Sequence, residues 1–500
     1  MSRIVLDSLL RFRIELVALV VFGFVALAPG ITQPPLLDWD EATYAEVAHE
    51  AVSSGSYLDF TWNGNPYLKK PPLLFWMMAG SFKGFGENEF AARLPSLLLG
   101  LCTLILIYLS TADVAGRPAG ILAGLIPLGF YFFVARGGRE CSTDAPLVFF
   151  STLALYALLR ARGNRRWLPV AGAACGLAIL SKGIAGLIPL VVVAISIVAI
   201  PGFTSIGANG LVLFLGAATA VAAPWYIYQV VFNWSLFWST FVKQETLLRV
   251  ASHLEDERKS ASYSLQAFCG EIRILWPVLI PFAALAFTQL RHGVRATLQR
   301  IPPAIAVWTM WMLLALGAAC VVQTKLGWYV LPALIPVAML AGTILGRAFT
   351  ETGPARVMFA CLAGVALMIF AIEIPGRMQV IADAFRHQHD FSRPSYFMAL
   401  RARQLAGQFG GGELYFAGVE LPTLVYYSRM RCHFVASSRS GSLDPGFELT
   451  DAQGATVSLN KYDLVLVTSD GQIVPVTNLG KEWEISGPSA TGVEAPRLED

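Results

Sequence analysis

The chain has 500 residues, 55% of them hydrophobic, with a mean hydropathy of +0.57 and a net charge of +3. That composition excludes an ordinary soluble domain, and the near-neutral charge gives no basic surface for a nucleic acid. The seven cysteines, at 102, 141, 175, 269, 320, 361 and 432, show no CxxC spacing and sit mostly in apolar runs, which excludes a disulfide framework and a thiolate metal centre.

The first apolar segment, 14–29, follows Arg3, Arg11 and Arg13 and lacks a small-x-small cleavage site, so it reads as a retained anchor. It runs directly into Asp38-Trp39-Asp40-Glu41-Ala42-Thr43-Tyr44-Ala45-Glu46. Asp38, Asp40, Glu41, Glu46, Glu50 and Asp59 crowd this stretch, although only 14% of the chain is charged. Tyr44, Val47, Ala48, Ala51 and Val52 recur with helical spacing and predict a short helix on the membrane surface, closed by Gly55. The stretch Asn63-Gly64-Asn65-Pro66-Tyr67-Leu68-Lys69-Lys70-Pro71-Pro72 then brings two lysines to the start of a second short helix, 73–82.

Apolar runs follow at 91–109, 119–135, 146–159, 168–180, 184–200, 211–228, 274–290, 304–322, 328–345 and 358–374. With the first segment they predict an all-α polytopic membrane protein with about 11–13 transmembrane helices. Arg160, Arg162, Arg165 and Arg166 share one short loop, Arg291, Arg295 and Arg300 another, and Arg347 and Arg356 flank a third. The positive-inside rule puts these loops and the N-terminus in the cytoplasm. The acidic loop 31–90, the loop 230–273 and the C-terminal region then face outward from a multi-pass membrane protein. Residues 1–375 read as the membrane domain and 376–500 as a small extracytoplasmic α/β or α+β domain. Within the latter, 413–417, 423–427, 433–436 and 462–468 read as strands.

Three of the acidic residues, Asp38, Asp40 and Glu41, suit both a helix N-terminus and catalysis, and the two uses are compatible. Lysines at a helix start are disfavoured by the helix dipole unless an anion sits beside them, which makes Lys69 and Lys70 a candidate phosphate site. The outer loop 237–263 carries Lys243, Glu245, Arg249, His253, Glu255, Asp256, Glu257, Arg258 and Lys259, much of which suits a solvated helix face. In a short outer loop, Lys325 and Tyr329 share a helical face; both are also ordinary interfacial anchors. Arg136 and Arg139 lie outside against the charge bias, with Asp144 next along the chain as a partner.

The motif Asp40-Glu41-Ala42-Thr43-Tyr44-Ala45-Glu46, the run from Asn63 to Trp76, and Asn88-Glu89-Phe90-Ala91-Ala92-Arg93-Leu94-Pro95 resemble the bacterial aminoarabinose transferases of lipid A modification. They are equally similar to the broader protein-mannosyltransferase-like GT-C membrane glycosyltransferases. Thr324-Lys325-Leu326 and Tyr329-Val330-Leu331-Pro332 resemble a further element of that family. The resemblance covers about residues 10–375. It implies a glycosyltransferase that moves a sugar from a polyprenyl phosphate to an envelope acceptor such as lipid A, the lipopolysaccharide core or another glycolipid, with inversion. It implies that Asp40, with Glu41, is the catalytic acid and that Lys70, Arg258 and Tyr329 hold the donor phosphate, with Lys325 beside them. It places His253 and Glu245 nearby in the outer loop; Asp38, Arg139 and Asp144, from the charge pattern above, are taken as supporting residues. A divalent metal at Asp40 and His253 stays open. Two departures, Thr43 where the family carries Arg and Lys69 where it carries Glu, leave the sugar open. The alternatives are a protein O-mannosyltransferase and a transporter or flippase of lipid-linked sugars. Against a transporter, the strong charges cluster in outer loops rather than at mid-span.

Overall fold

The computed structural model describes residues 3–32, 35–252, 259–260, 262–276, 301–350, 352–418, 420–435, 448–450, 452, 454, 456–460 and 462–478. Among these residues six helical runs are long and apolar enough to cross a membrane: Glu89–Ala115, Asp144–Ala161, Trp167–Ala199, Thr204–Phe232, Pro303–Val321 and Gly327–Arg347. A seventh results if the pair Arg117–Gly129 and Tyr131–Arg139, bent by 85°, is one span. Ile14–Leu27 is a shorter apolar helix. The number is lower than the expected 11–13 for identifiable reasons. The runs expected at 168–180 and 184–200 join into one; the run 358–374 falls inside the single helix Gly353–Gln408. Most of the run 274–290 lies outside the described residues.

Two compact units emerge: Met1–Pro29, Leu68–Met77 and Arg93–Ile381 form one, and Gly30–Tyr67, Met78–Ala92 and Ala382–Asp500 the other. The expected boundary at 375/376 therefore falls within a continuous helix. Most of the first outer loop groups with the C-terminal region rather than with the membrane helices.

In the first unit, helix Trp167–Lys182 packs against Asp144–Ala161 and Gly207–Phe232. Gly172 and Gly176 make the second contact close: a Cβ on either would strike the backbone carbonyls of Phe214 or Ala218. Small residues at such crossings let apolar helices approach where lipid offers no hydrophobic driving force. An aromatic cluster of Trp225, Phe237 and Phe241 packs with Leu68, Leu73 and Leu180. It anchors both the segment carrying Lys70 and the π-helical stretch Phe237–Leu248.

In the second unit, helix Asp40–Ser54 ends at Gly55, whose φ of 73° is the left-handed C′ geometry expected from the sequence. Asn63 and Gly64, both at positive φ, turn the chain between Thr61–Trp62 and Asn65–Pro66, as a two-residue hairpin loop requires. The main sheet has four strands in the order Cys432–Phe434, Gly412–Phe416, Asp463–Thr468, Ile473–Asn478; the first pair is parallel and the other two antiparallel. One face packs on Met398, Ala402 and Ala406 of the long helix. The parallel pair needs a crossover, and helix Pro422–Ser428 provides it. That helix corrects the strand expected at 423–427. Its aromatic and β-branched residues favour a strand locally, but Pro422 starts a helix well and the connection demands one.

Candidate active site

Each unit holds part of the candidate machinery. In the second unit, the chain enters helix Asp40–Ser54 through Trp39, whose φ is 71° and whose side chain makes no cap. Asp40 is the first helical residue, where its charge suits the helix dipole, and its Oδ1 accepts the Tyr44 hydroxyl at 3.0 Å. Glu41 is buried, and its Oε2 accepts the Leu37 amide at 3.1 Å. Neither residue caps the helix in the way a side-chain N-cap does.

Asp38 does cap a helix, but a distant one. Its Oδ1 accepts the Thr423 amide at 2.8 Å, in the first turn of helix Pro422–Ser428, and its Oδ2 accepts the Ser395 hydroxyl at 3.0 Å. The Tyr427 hydroxyl accepts the Leu36 amide at 2.8 Å and donates to Glu89 at 2.7 Å. Further along helix Asp40–Ser54, burial and then the charge of Glu50 push the Glu46 carboxyl up to about 8, against the opposing pull of Arg429. The Arg429 guanidinium lies 3.8 Å from Glu46 and 3.1 Å from Glu87.

The first unit holds a chain of charges. Lys70 Nζ meets Glu245 Oε2 at 2.6 Å, and Arg249 Nε meets the same oxygen at 3.0 Å. Arg249 Nη1 donates to the Tyr329 hydroxyl at 3.3 Å. Lys182 lies 5.3 Å from the centre of the Tyr329 ring and 2.5 Å from Asp144 Oδ1. Arg136 pairs with Glu140 at 3.0 Å, approaches Asp144 at 3.6 Å and covers the Trp328 ring at 4.2 Å. Lys70, Arg249, Lys182 and Arg136 thus face Glu245, Asp144 and Glu140.

Local structure sets this arrangement. The amides of Gln323 and Thr324 donate to the carbonyls of Val250 and Arg249 at 3.1 Å each, so the short loop carrying Tyr329 is stapled beside Arg249. Gly183, at φ 51°, turns the chain after Lys182, and a Cβ there would crowd Phe241 at 3.2 Å. The dipole tension read at Lys70 is met by Glu245. Burial alone would raise the Glu245 carboxyl, but Lys70 and Arg249 together outweigh it and hold the group below the usual carboxylate range.

Of the residues singled out in the sequence, Lys70, Glu245 and Tyr329 belong to one ionic chain, which Asp144 joins through Lys182. The Lys325 ammonium donates to the carbonyls of Cys320 at 2.6 Å and Val322 at 2.8 Å, closing the end of helix Pro303–Val321. Arg139 donates to the Pro29 carbonyl at 2.5 Å, and Arg136 is the arginine beside Asp144. His253 and Arg258 lie outside the described residues, and the arginine at Tyr329 among them is Arg249. The apolar pattern does not single out Lys182, which falls at the break between two apolar runs. A lone lysine inside a 33-residue apolar stretch was the available signal. Among the described residues no group of three or more His, Cys, Asp or Glu side chains could hold a metal ion.

Residues 69–228 match the family described as dolichyl-phosphate-mannose-protein mannosyltransferase. The chain is 25% identical over 378 residues to the undecaprenyl phosphate-alpha-4-amino-4-deoxy-L-arabinose arabinosyl transferase of Pseudomonas paraeruginosa, covering 74% of this chain and 66% of that protein. It is 29% identical over 335 residues to the enzyme of the same name from Aeromonas salmonicida, covering 65% and 58%. The match thus spans less than two thirds of the length of these relatives. The crystal structure of ArnT from Cupriavidus metallidurans bound to undecaprenyl phosphate superposes with a TM-score of 0.65 at 21% identity, covering 84% of this chain and 86% of that one. Its apo form gives 0.63 at 22% identity, covering 86% and 87%. The fold is that of these structures, and the resemblance carried by the first-loop motif is borne out.

Proposed function

From this likeness to the aminoarabinose transferases and the wider GT-C glycosyltransferases, we propose that the chain transfers a sugar from a polyprenyl phosphate to an envelope glycolipid, lipid A being the first acceptor to test. The reaction takes place on the outer face of the inner membrane. The observation that carries the reading is the cluster of Lys70, Glu245, Arg249 and Tyr329, cationic groups gathered around a single carboxylate. A lipid phosphate offers a negative charge like that of Glu245 and competes with it for Lys70 and Arg249, with the Tyr329 hydroxyl beside Arg249 as a further donor.

These groups stabilise the charge that develops on the leaving phosphate, an effect strongest in a water-poor site. An oxygen of the acceptor attacks the anomeric carbon as the bond to the phosphate oxygen breaks, and the single displacement inverts that carbon. Where the acceptor oxygen is a hydroxyl, Asp40 takes its proton; where it is a phosphate, no strong base is required and Asp40 orients the reacting groups. Glu41 sets the first turn from which Asp40 projects.

The test is transfer by the purified protein in liposomes holding undecaprenyl-phospho-aminoarabinose and lipid A, read by mass spectrometry. The expected product is lipid A heavier by one sugar, with undecaprenyl phosphate released. Undecaprenyl-phospho-mannose with an acceptor peptide, run in parallel, addresses the mannosyltransferase alternative. Movement of intact donor across the bilayer without transfer to any acceptor would replace the enzyme reading with the transporter one.

A further inference from the structure

The C-terminal region forms one unit with the loop that carries Asp40, and four of the hydrogen bonds between them fall on Leu36 and Asp38, just before Trp39. Leu36 is held through its amide by the Tyr427 hydroxyl and through its carbonyl by the Thr423 hydroxyl, at 2.8 and 3.3 Å. Asp38 is held by the Thr423 amide and the Ser395 hydroxyl, at 2.8 and 3.0 Å. Both hydrogen-bonding capacities of the Tyr427 hydroxyl are in use, since it also donates to Glu89 at 2.7 Å. Immediately after this grip the backbone passes through Trp39 at φ 71°, ψ −112°, and Asp40 opens the helix. A tryptophan is strained there, and such strain persists only where the surroundings over-determine the conformation. The residue is 59% exposed, so burial does not account for the geometry. The grip on one side and the helix on the other do.

We propose that Tyr427 and Thr423, with Ser395, are positioning residues for the transfer reaction: by fixing residues 36–38 they hold the strained joint at Trp39 and thereby set the direction of Asp40. The C-terminal region is then part of the catalytic apparatus, acting through the backbone without touching substrate. This rests on Asp40 being the acid of the proposed reaction. A displacement of about 1 Å at a reacting group can cost on the order of a hundredfold in rate.

The test pairs two variants of the full-length protein. Tyr427→Phe removes the hydroxyl that holds Leu36 while keeping the ring. Trp39→Gly relaxes the joint, because glycine adopts positive φ without strain. Both should lower kcat by about tenfold or more with KM for the donor unchanged. Trp39→Gly should do so with a melting temperature equal to or above the parent's, an outcome that loss of structure cannot produce. Thr423→Ser, which keeps both the amide and the hydroxyl, should retain parental kcat. Parental kcat in Trp39→Gly, or a loss in Tyr427→Phe that only follows the unfolded fraction, overturns the proposal. Hydrogen exchange separates this from failure of the enzyme reading. The amides of Ala42 and Thr43 bond to the carbonyls of Leu37 and Trp39, each at 3.0 Å. They should exchange faster in Tyr427→Phe whether or not the protein transfers sugar, and unchanged exchange overturns the positioning role by itself.

Discussion

Lys70 and Arg249 share one carboxylate oxygen of Glu245, so on the proposed function a donor phosphate would have to replace a partner already in place. Lys70→Ala or Arg249→Ala should weaken binding of undecaprenyl phosphate by at least tenfold, about 1.4 kcal/mol, in a direct binding assay. Glu245→Gln should act in the opposite direction and tighten binding of the bare lipid phosphate, because the competing negative charge is gone. Equal affinity in all three variants would remove the phosphate from this cluster. Glu46 gives a separate test, based on pH. Burial pushes its carboxyl up to about 8 in the fold, from an ordinary value of 4.5. Between those values the unfolded chain gives up a proton that the folded chain keeps, so this group's contribution to stability is lost as pH rises from about 4.5 to 8. Glu46→Gln removes the titration. Its melting temperature relative to the parent should climb from pH 5 to pH 8 and then level off. A difference that stays constant over that range would show that Glu46 ionises normally in the fold.

At the scale of elements, the helix Asp40–Ser54 was legible because its signals are local: an apolar spacing and a glycine that ends it. Helix Pro422–Ser428 was not, because the group that caps it is Asp38, 385 residues away in sequence. Periodicity over a few residues cannot report such a partner. The same distance explains why Asp38 itself read as a local cap or a catalytic acid. Asp38→Asn keeps the acceptor for Thr423 and should be mild, whereas Asp38→Ala leaves a buried amide without it and should cost about 1–2 kcal/mol in thermal or chemical unfolding. Asp38→Ala with parental stability would show that the helix does not depend on this cap. Within the ionic chain, Lys70, Glu245 and Tyr329 were legible from sequence. Arg249 was obscured by a run of charges in its loop, and only the backbone bonds to Gln323 and Thr324 show why it meets Tyr329.

For the whole molecule, composition alone gave the membrane class, since hydrocarbon thickness fixes how long an apolar run must be. Grouping was harder to read. The first outer loop and the C-terminal region are separated by some 290 residues, and nothing in either composition announces that they form one unit. The three arginine-bearing loops carry the orientation, so a reporter active only outside the cytoplasm, fused after Asp500, should be active. A silent reporter on a stably expressed fusion would reverse the topology and put the acidic loop on the wrong side for an outer-face reaction.

The most direct test of a chemical role for Asp40 is Asp40→Asn, assayed in liposomes for donor binding and for transfer together. Asparagine keeps the shape and an oxygen for the Tyr44 hydroxyl but gives up the charge and the proton affinity. The variant should insert, melt with the parent and bind undecaprenyl-phospho-aminoarabinose as the parent does, while its transfer rate falls by roughly 10²–10⁴. Near-parental transfer by a folded, donor-binding Asp40→Asn protein would contradict a chemical role for Asp40 and leave that residue only its place in the first turn of its helix.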